Sequence, residues 1–217
     1  MKAIVTVLTL FLAACNSPPA LGPTPGAIGF DGGDGGPTWS FASTGGTGPT
    51  ATWQVRADAA AVSPPNVMAL VATNHDDEDR FNLCWSAGVP FQNGRLQVSL
   101  RADRGAVDQG GGPMWRVQDA DNYYVCRVNP LESNYRVYVV SKGVRRQLGT
   151  ALVDAKAGTW HRVEVEHHGA EIRCSFDGVL LLEASDNTIP AAGGVGLWTK
   201  ADACTSFDDL LVRPSDS

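Results

Sequence analysis

Apolar and polar residues alternate with period two along most of this chain, and almost nowhere with the period of a helix. The alternating runs are GRLQVSLRA (94–102), GPMWRVQ (112–118), NYYVCRVN (122–129), YRVYVV (135–140), WHRVEVEHH (160–168), EIRCSFDG (171–178), VLLLEAS (179–185), GVGLWTKA (194–201) and SFDDLLV (206–212). Successive strand side chains point to opposite faces, so each run reads as a half-buried β-strand. NG, DG, KG, HG and GG pairs lie between them and supply the positive φ that tight hairpins need. Strands every ~8–12 residues with no helices between them predict an antiparallel sandwich or barrel. Gly32 to Gly48, the Pro64-Pro65 region and the acidic HDDEDR (75–80) read as loops.

Parity along each strand assigns faces. In WHRVEVEHH, Val163 and Val165 point inward while Arg162, Glu164 and Glu166 point outward. His167 and His168 are adjacent, face opposite sides and read as surface residues at a strand end. The hairpin MWRVQDADNYYVCRVN puts Trp115, Val117, Tyr124, Cys126 and Val128 toward the core. Arg116, Tyr123, Arg127 and Asn129 then share the outer face, Glu132 and Asn134 follow at the next turn, and Trp198 and Lys200 of GLWTKAD reach the same surface. That set joins two arginines, amides and aromatics from neighbouring strands, which is the chemistry of a ligand platform. It is also ordinary cross-strand pairing, at about 0.2–1 kcal/mol per pair.

The N-terminus reads differently. Lys2 precedes AIVTVLTLFLAA, an apolar run of signal-peptide length, too short to span a bilayer comfortably. It ends LAAC, which resembles the bacterial lipobox, so Cys15 is the expected lipidation site and residues 1–15 the signal. NSPPALGPTPGA (16–27) reads as a Pro/Gly spacer, leaving 28–213 as one β-sandwich domain. The expected location is extracytoplasmic, in a bacterial cell envelope, with the lipid as membrane anchor.

Composition narrows the picture. The 24 glycines and 13 prolines make 17% of 217 residues, above the ~12% background and below the ~25–30% of low-complexity chains. The chain is turn-rich but folded. A net charge of −6, or −7 without Lys2, argues against a nucleic-acid partner. Four cysteines remain after Cys15, none in a CxxC, which argues against zinc and permits two disulfides in any of three connectivities. Like surroundings favour Cys84 with Cys204, and Cys126 with Cys174. GFDGGDGG (29–36) and FDDL (207–210) lie at the two ends of the domain, so Asp31, Asp34, Asp208 and Asp209 are candidate calcium ligands among glycine-freed carbonyls.

FNLCWS, FQNGRLQVSLRA, DQGGGPMWRVQDADNYYVCRVNPLESNYRVY, AGTWHRVEVEHHG, FDGVLLLEASDNT and GGVGLWTKADACTSFDDLLV together resemble a bacterial group of concanavalin A-like (laminin G-like) jelly-roll domains, the set related to 3-keto-disaccharide hydrolases and family-16 glycoside hydrolases. The resemblance covers about Phe30 to Val212. It implies an all-β, antiparallel two-sheet jelly-roll sandwich with one concave sheet, on which sugars dock against aromatic faces. The expected function is therefore non-catalytic binding of carbohydrate or another envelope polymer. A glycoside hydrolase and a purely structural or adhesive lipoprotein are the alternatives. The ExDxxE string of laminarinase-type enzymes on this fold is absent. Asp119, Asp121 and Glu132 are the carboxylates nearest the expected surface.

Overall fold

The computed structural model describes residues 27–31, 36–74 and 77–215. Cys15, residues 16–26 of the spacer and Asp34 lie outside the described residues. Fourteen strands follow one another: β1 (Ser40–Thr44), β2 (Thr52–Ala57), β3 (Asn66–Ala72), β4 (Phe81–Phe91), β5 (Gly94–Arg104), β6 (Gly112–Asp119), β7 (Asn122–Asn129), β8 (Asn134–Ser141), β9 (Val144–Leu152), β10 (Trp160–His168), β11 (Glu171–Phe176), β12 (Val179–Ser185), β13 (Gly193–Lys200) and β14 (Cys204–Pro214). They form two seven-stranded antiparallel sheets. The first has the order β1-β4-β13-β6-β7-β8-β9, the second β12-β11-β10-β5-β14-β3-β2. β1 falls inside the glycine-rich stretch read as loop, and β9 has no clean alternation. Both are edge strands, with one neighbour each and little apolar surface to bury.

The main core lies between the sheets. Trp115, Tyr124, Cys126, Val128, Val137, Val139 and Leu197 from the first sheet meet Leu96, Val98, Val163, Val165, Cys174 and Phe207 from the second. All four described cysteines are free and buried, so the expected Cys84–Cys204 and Cys126–Cys174 bridges are not formed. Cys126 and Cys174 meet across the core as neighbouring thiols sharing a hydrogen bond. His167 is also interior, not surface. It continues the inward parity of Val163 and Val165, is 0% exposed, and its Nδ1 accepts the Trp115 indole N–H at 2.8 Å. Burial away from water pulls its pKa down to about 3.

A second apolar cluster covers the outer face of the first sheet. Phe81, Leu83, Met114, Val117, Tyr123, Val125, Tyr138, Val140 and Trp198 pack together there. β4 and β9 are five places apart in this sheet, ~24 Å if it were flat. Yet the Arg145 guanidinium of β9 lies 4.9 Å from the Phe81 ring, 4.6 Å from Tyr138 and 5.8 Å from Trp198. The sheet therefore curls around its outer face until its far edge meets β4, and its own side chains fill the hollow.

Candidate functional site

The expected surface residues divide into three groups. Tyr123 and Trp198 do share the hollow, joined by Trp198 Nε1–H donating to the Tyr123 hydroxyl at 3.1 Å. Both are 0% exposed, so neither offers a ring face to a sugar. Arg116 is elsewhere. It has φ 47°, and the register shifts between Trp115 and Asp119, a bulge that turns Val117 onto the outer face and Arg116 toward one end of the sandwich. There its guanidinium donates to the carbonyls of Gln92 (2.8 Å), Ile189 (2.9 Å) and Gly169 (3.0 Å), tying three loops together. It is a structural staple, not a platform residue.

The remaining five, Arg127, Asn129, Glu132, Asn134 and Lys200, converge at the other end of the hollow. They gather around Asp108, which the sequence does not single out. Arg127 Nη1 donates to both Asp108 carboxylate oxygens at 2.8 Å, and Nη2 donates to Glu132 Oε2 at 2.8 Å. Asn129 Nδ2 donates to Asp108 at 3.0 Å, Asn134 Nδ2 to Glu132 at 2.6 Å, and Arg136 Nη1 lies 3.2 Å from Glu132. Lys200 Nζ is 3.9 Å from Asp108. Arg127, Asn129, Arg136 and Asn134 occupy one face of β7 and β8 as strand parity dictates, in opposed pairs: Arg127 with Arg136, Asn129 with Asn134.

Asp108 comes from the loop before β6. Asp202 holds that loop by accepting the amides of Ala106 (2.6 Å), Val107 (3.1 Å) and Asp108 (2.9 Å). Gly105 permits the approach: at φ 152°, a Cβ there would meet the Asp108 carbonyl at 1.9 Å. Gly111 does the same under β13, where a Cβ would sit 2.2 Å from the Trp198 carbonyl.

The two carboxyls of this cluster are driven apart. Burial raises Asp108 above the usual carboxylate range, against the pull of Arg127 and Lys200. For Glu132, burial also pushes upward, but the Asn134 amide and the Arg127 and Arg136 charges outweigh it and hold it below. Asp108 is 3% exposed, whereas the Glu132 side chain is 43% exposed. Four buried polar atoms along this face, Arg127 Nε, Asn134 Oδ1, Arg136 Nε and Arg145 Nη1, have no hydrogen-bond partner among the described residues. The groups that reach solvent here are the Glu132 carboxylate and the Arg136 guanidinium, 43% and 32% exposed, and a fixed carboxylate beside a fixed guanidinium is suited to a ligand rich in hydroxyls.

Asp119 and Asp121 do not join it. Asp119 accepts the Asp121 amide at 2.8 Å and the Asn122 side-chain amide at 2.8 Å, closing the β6–β7 turn. That turn is a whole strand away from Glu132, ~23 Å along β7, whereas glycosidase carboxylates stand within ~5–9.5 Å.

At the opposite sheet, Asp31 Oδ1 accepts the Asn66 amide at 3.1 Å. Asp208 accepts the amides of Ser63 and Asp209, each at 2.8 Å, and Asp209 accepts the Ser63 hydroxyl at 2.7 Å. Burial raises Asp208, and the charges of Asp209 and Asp31 add to the rise. Each of the three acids accepts at least one hydrogen bond from a backbone amide or hydroxyl donor. Among the described residues no group of three or more His, Cys, Asp or Glu is arranged to hold a metal.

The architecture has solved counterparts. The carbohydrate binding module CBM66 from Bacillus subtilis superposes with a TM-score of 0.60 at 16% identity, covering 79% of this chain and 92% of that one. Bacillus licheniformis β-glucanase gives 0.58 at 12% identity, covering 86% and 97%. A Bacillus subtilis protein of unknown function with a galectin-like fold gives 0.54 at 10% identity, covering 79% and 87%. The fold is a concanavalin A-like jelly roll. No family model and no curated protein matches the sequence.

Proposed function

We propose that this chain binds carbohydrate without cleaving it, through the polar cluster of Arg127, Asn129, Glu132, Asn134, Arg136 and Lys200 at the end of the curled sheet. The observation that carries this reading is the exposed Glu132 carboxylate, held in place by Arg127 and Asn134 beside the part-exposed Arg136 guanidinium. The likeness to a carbohydrate binding module supports it at the level of the fold. Screening the full chain against a glycan panel tests it. Glu132→Gln and Arg136→Ala are each expected to weaken the best ligand by about tenfold, or about 1.4 kcal/mol. Undiminished binding in both variants overturns the reading.

The second reading is a glycoside hydrolase of the 3-keto-disaccharide type. It is favoured by one observation, the opposed shifts of Asp108 and Glu132 across one guanidinium. Against it, both Asp108 oxygens are tied to Arg127 and the group is shut off from solvent, so it cannot protonate a leaving oxygen in this arrangement. Released sugar from any panel glycan, lost in Asp108→Asn, would establish the hydrolase. We further propose lipid attachment at Cys15 outside the cytoplasm, which radiolabelled fatty acid and a Cys15→Ser variant test directly.

A further inference from the structure

The second sheet carries a groove of its own, about 750 Å³, on the face turned away from the core. Its floor is the outward row of β5 and β10: Arg95, Gln97, Arg162 and Glu164, with Glu164 opposite Gln97. Trp160 and residues 60–62 line one side, and the Asp177–Gly178 turn closes the end.

This groove is built rather than incidental. The loop forming its wall is fastened at both ends: Asp58 takes an Arg101 guanidinium N–H at 2.6 Å, and Ser63 donates its amide to Asp208 at 2.8 Å. The Trp160 indole N–H donates to the Ala60 carbonyl at 2.5 Å, and the Arg101 guanidinium sits 5.0 Å from its ring. Asp177 accepts the Arg162 amide at 2.8 Å and faces His161 Nδ1 at 2.8 Å. His161 Nε2 lies 3.0 Å from the Lys156 amide nitrogen and 3.2 Å from its carbonyl oxygen, so both ring nitrogens are engaged. The histidine therefore locks the turn and has no free nitrogen for base chemistry.

The charges cancel. Arg95 pairs with Glu164, and the lining holds one further cation, Arg162, and one further carboxylate, Asp177. A phosphate, a nucleic acid or an acidic polymer would find no net attraction here. Planar donors and acceptors fixed on a sheet, with an indole at the wall and a volume inside the ~300–1,000 Å³ range of small-molecule sites, match an uncharged ligand with many hydroxyls. We infer that this groove is a second, independent carbohydrate subsite, taking a short neutral oligosaccharide on the face opposite the Glu132 cluster.

Each face has its own tryptophan reporter, Trp85 beside the curled hollow and Trp160 in the groove. Indole N–H signals of the full chain, assigned with Trp85→Phe and Trp160→Phe, can be followed while titrating neutral gluco-, fructo- and arabino-trisaccharides. An acidic galacturonate trisaccharide serves as the control. The Trp160 signal is expected to shift saturably with at least one neutral trisaccharide and not with the acidic one. Glu164→Gln and Arg95→Ala are expected to weaken that response about tenfold. A Trp160 signal unmoved at about 10 mM of every neutral sugar, or equally moved in both variants, overturns the inference. A Trp160 response retained in Glu132→Gln and Arg136→Ala would leave this site standing whatever becomes of the Glu132 site, and a response lost in both of those variants would assign the binding to the Glu132 cluster and overturn the inference.

Discussion

The outer faces of the two sheets solve opposite problems. The first sheet curls, fills its hollow with Trp198, Tyr123, Phe81, Met114 and Val125, and closes it with the Arg145 guanidinium. The second is laid out in charges and amides, Arg95, Gln97, Arg101, Arg162 and Glu164, under a loop pinned across it. Aromatic residues on a strand's outer row are therefore not a docking platform by themselves. Curvature decides whether they meet solvent, and here it turns the aromatic face into a second core. Ligand-type chemistry is left to the polar end of that hollow and to the opposite sheet.

Truncating a tryptophan on each face gives the largest expected contrast. Trp198→Ala empties a fully buried site and is expected to cost about 3–5 kcal/mol in denaturant unfolding. Trp160→Ala removes a partly exposed ring and one hydrogen bond, so about 1 kcal/mol is expected. Equal losses would mean that the hollow is not a core.

Acid comes next, because it acts on the interior that both faces share. His167 has a folded pKa near 3 against an ordinary 6.5, so the unfolded chain binds its proton first as pH falls. Stability is therefore full above about pH 6.5 and declines as pH drops toward 3. Asp186 adds to the loss lower down. Burial pushes it up, but the Tyr124 hydroxyl, the Thr188 amide and Arg146 hold it at about 2, so its contribution fades as pH falls below 3.8. His167→Gln keeps an acceptor for Trp115 without a titrating ring. It is expected to flatten the decline between pH 6.5 and 4, measured as Tm against pH. An unchanged slope would assign that decline to other groups.

Strand parity made part of this legible in advance. Arg127, Asn129, Glu132, Asn134 and Lys200 converge because alternation fixes which row each occupies. The same parity already placed His167 beside Val163 and Val165, and only its polar chemistry argued otherwise. Arg116 leaves its expected face because a single left-handed residue shifts the rest of β6 by one, and nothing in MWRVQ signals the bulge. Asp108 and the Trp160 groove depend on loops brought in from distant positions, 105–108 and 58–63, held by Asp202 and by Arg101 and Asp208. The burial of Trp198 is a property of the whole sheet's curl, beyond the reach of any local pattern.

Arg145 tests the lid alone. Its charge is partly desolvated over three rings, with no ion pair among the described residues, and burial lowers its pKa. Arg145→Ala is expected to cost about 1–2 kcal/mol and to shift Trp198 emission to the red as water enters. Arg145→Met keeps the bulk and is expected to lose less. Emission unchanged in the alanine variant would show that the hollow is sealed without the guanidinium.

The smallest effect belongs to the second face. Arg95 and Glu164 form an ion pair with 45% and 16% of their side chains exposed. Such a pair gains little in high dielectric and spends side-chain entropy, so Arg95→Ala is expected to change stability by less than about 1 kcal/mol. At about 1 M salt, where the screening length falls to ~3 Å, the difference should shrink further. Trp198→Ala, by contrast, should be nearly indifferent to salt, since it removes packing rather than charge. If Arg95→Ala proved as damaging as Trp198→Ala, the outer row of the second sheet would be structural, and its groove would be a by-product of holding the loop rather than a surface free to meet a ligand.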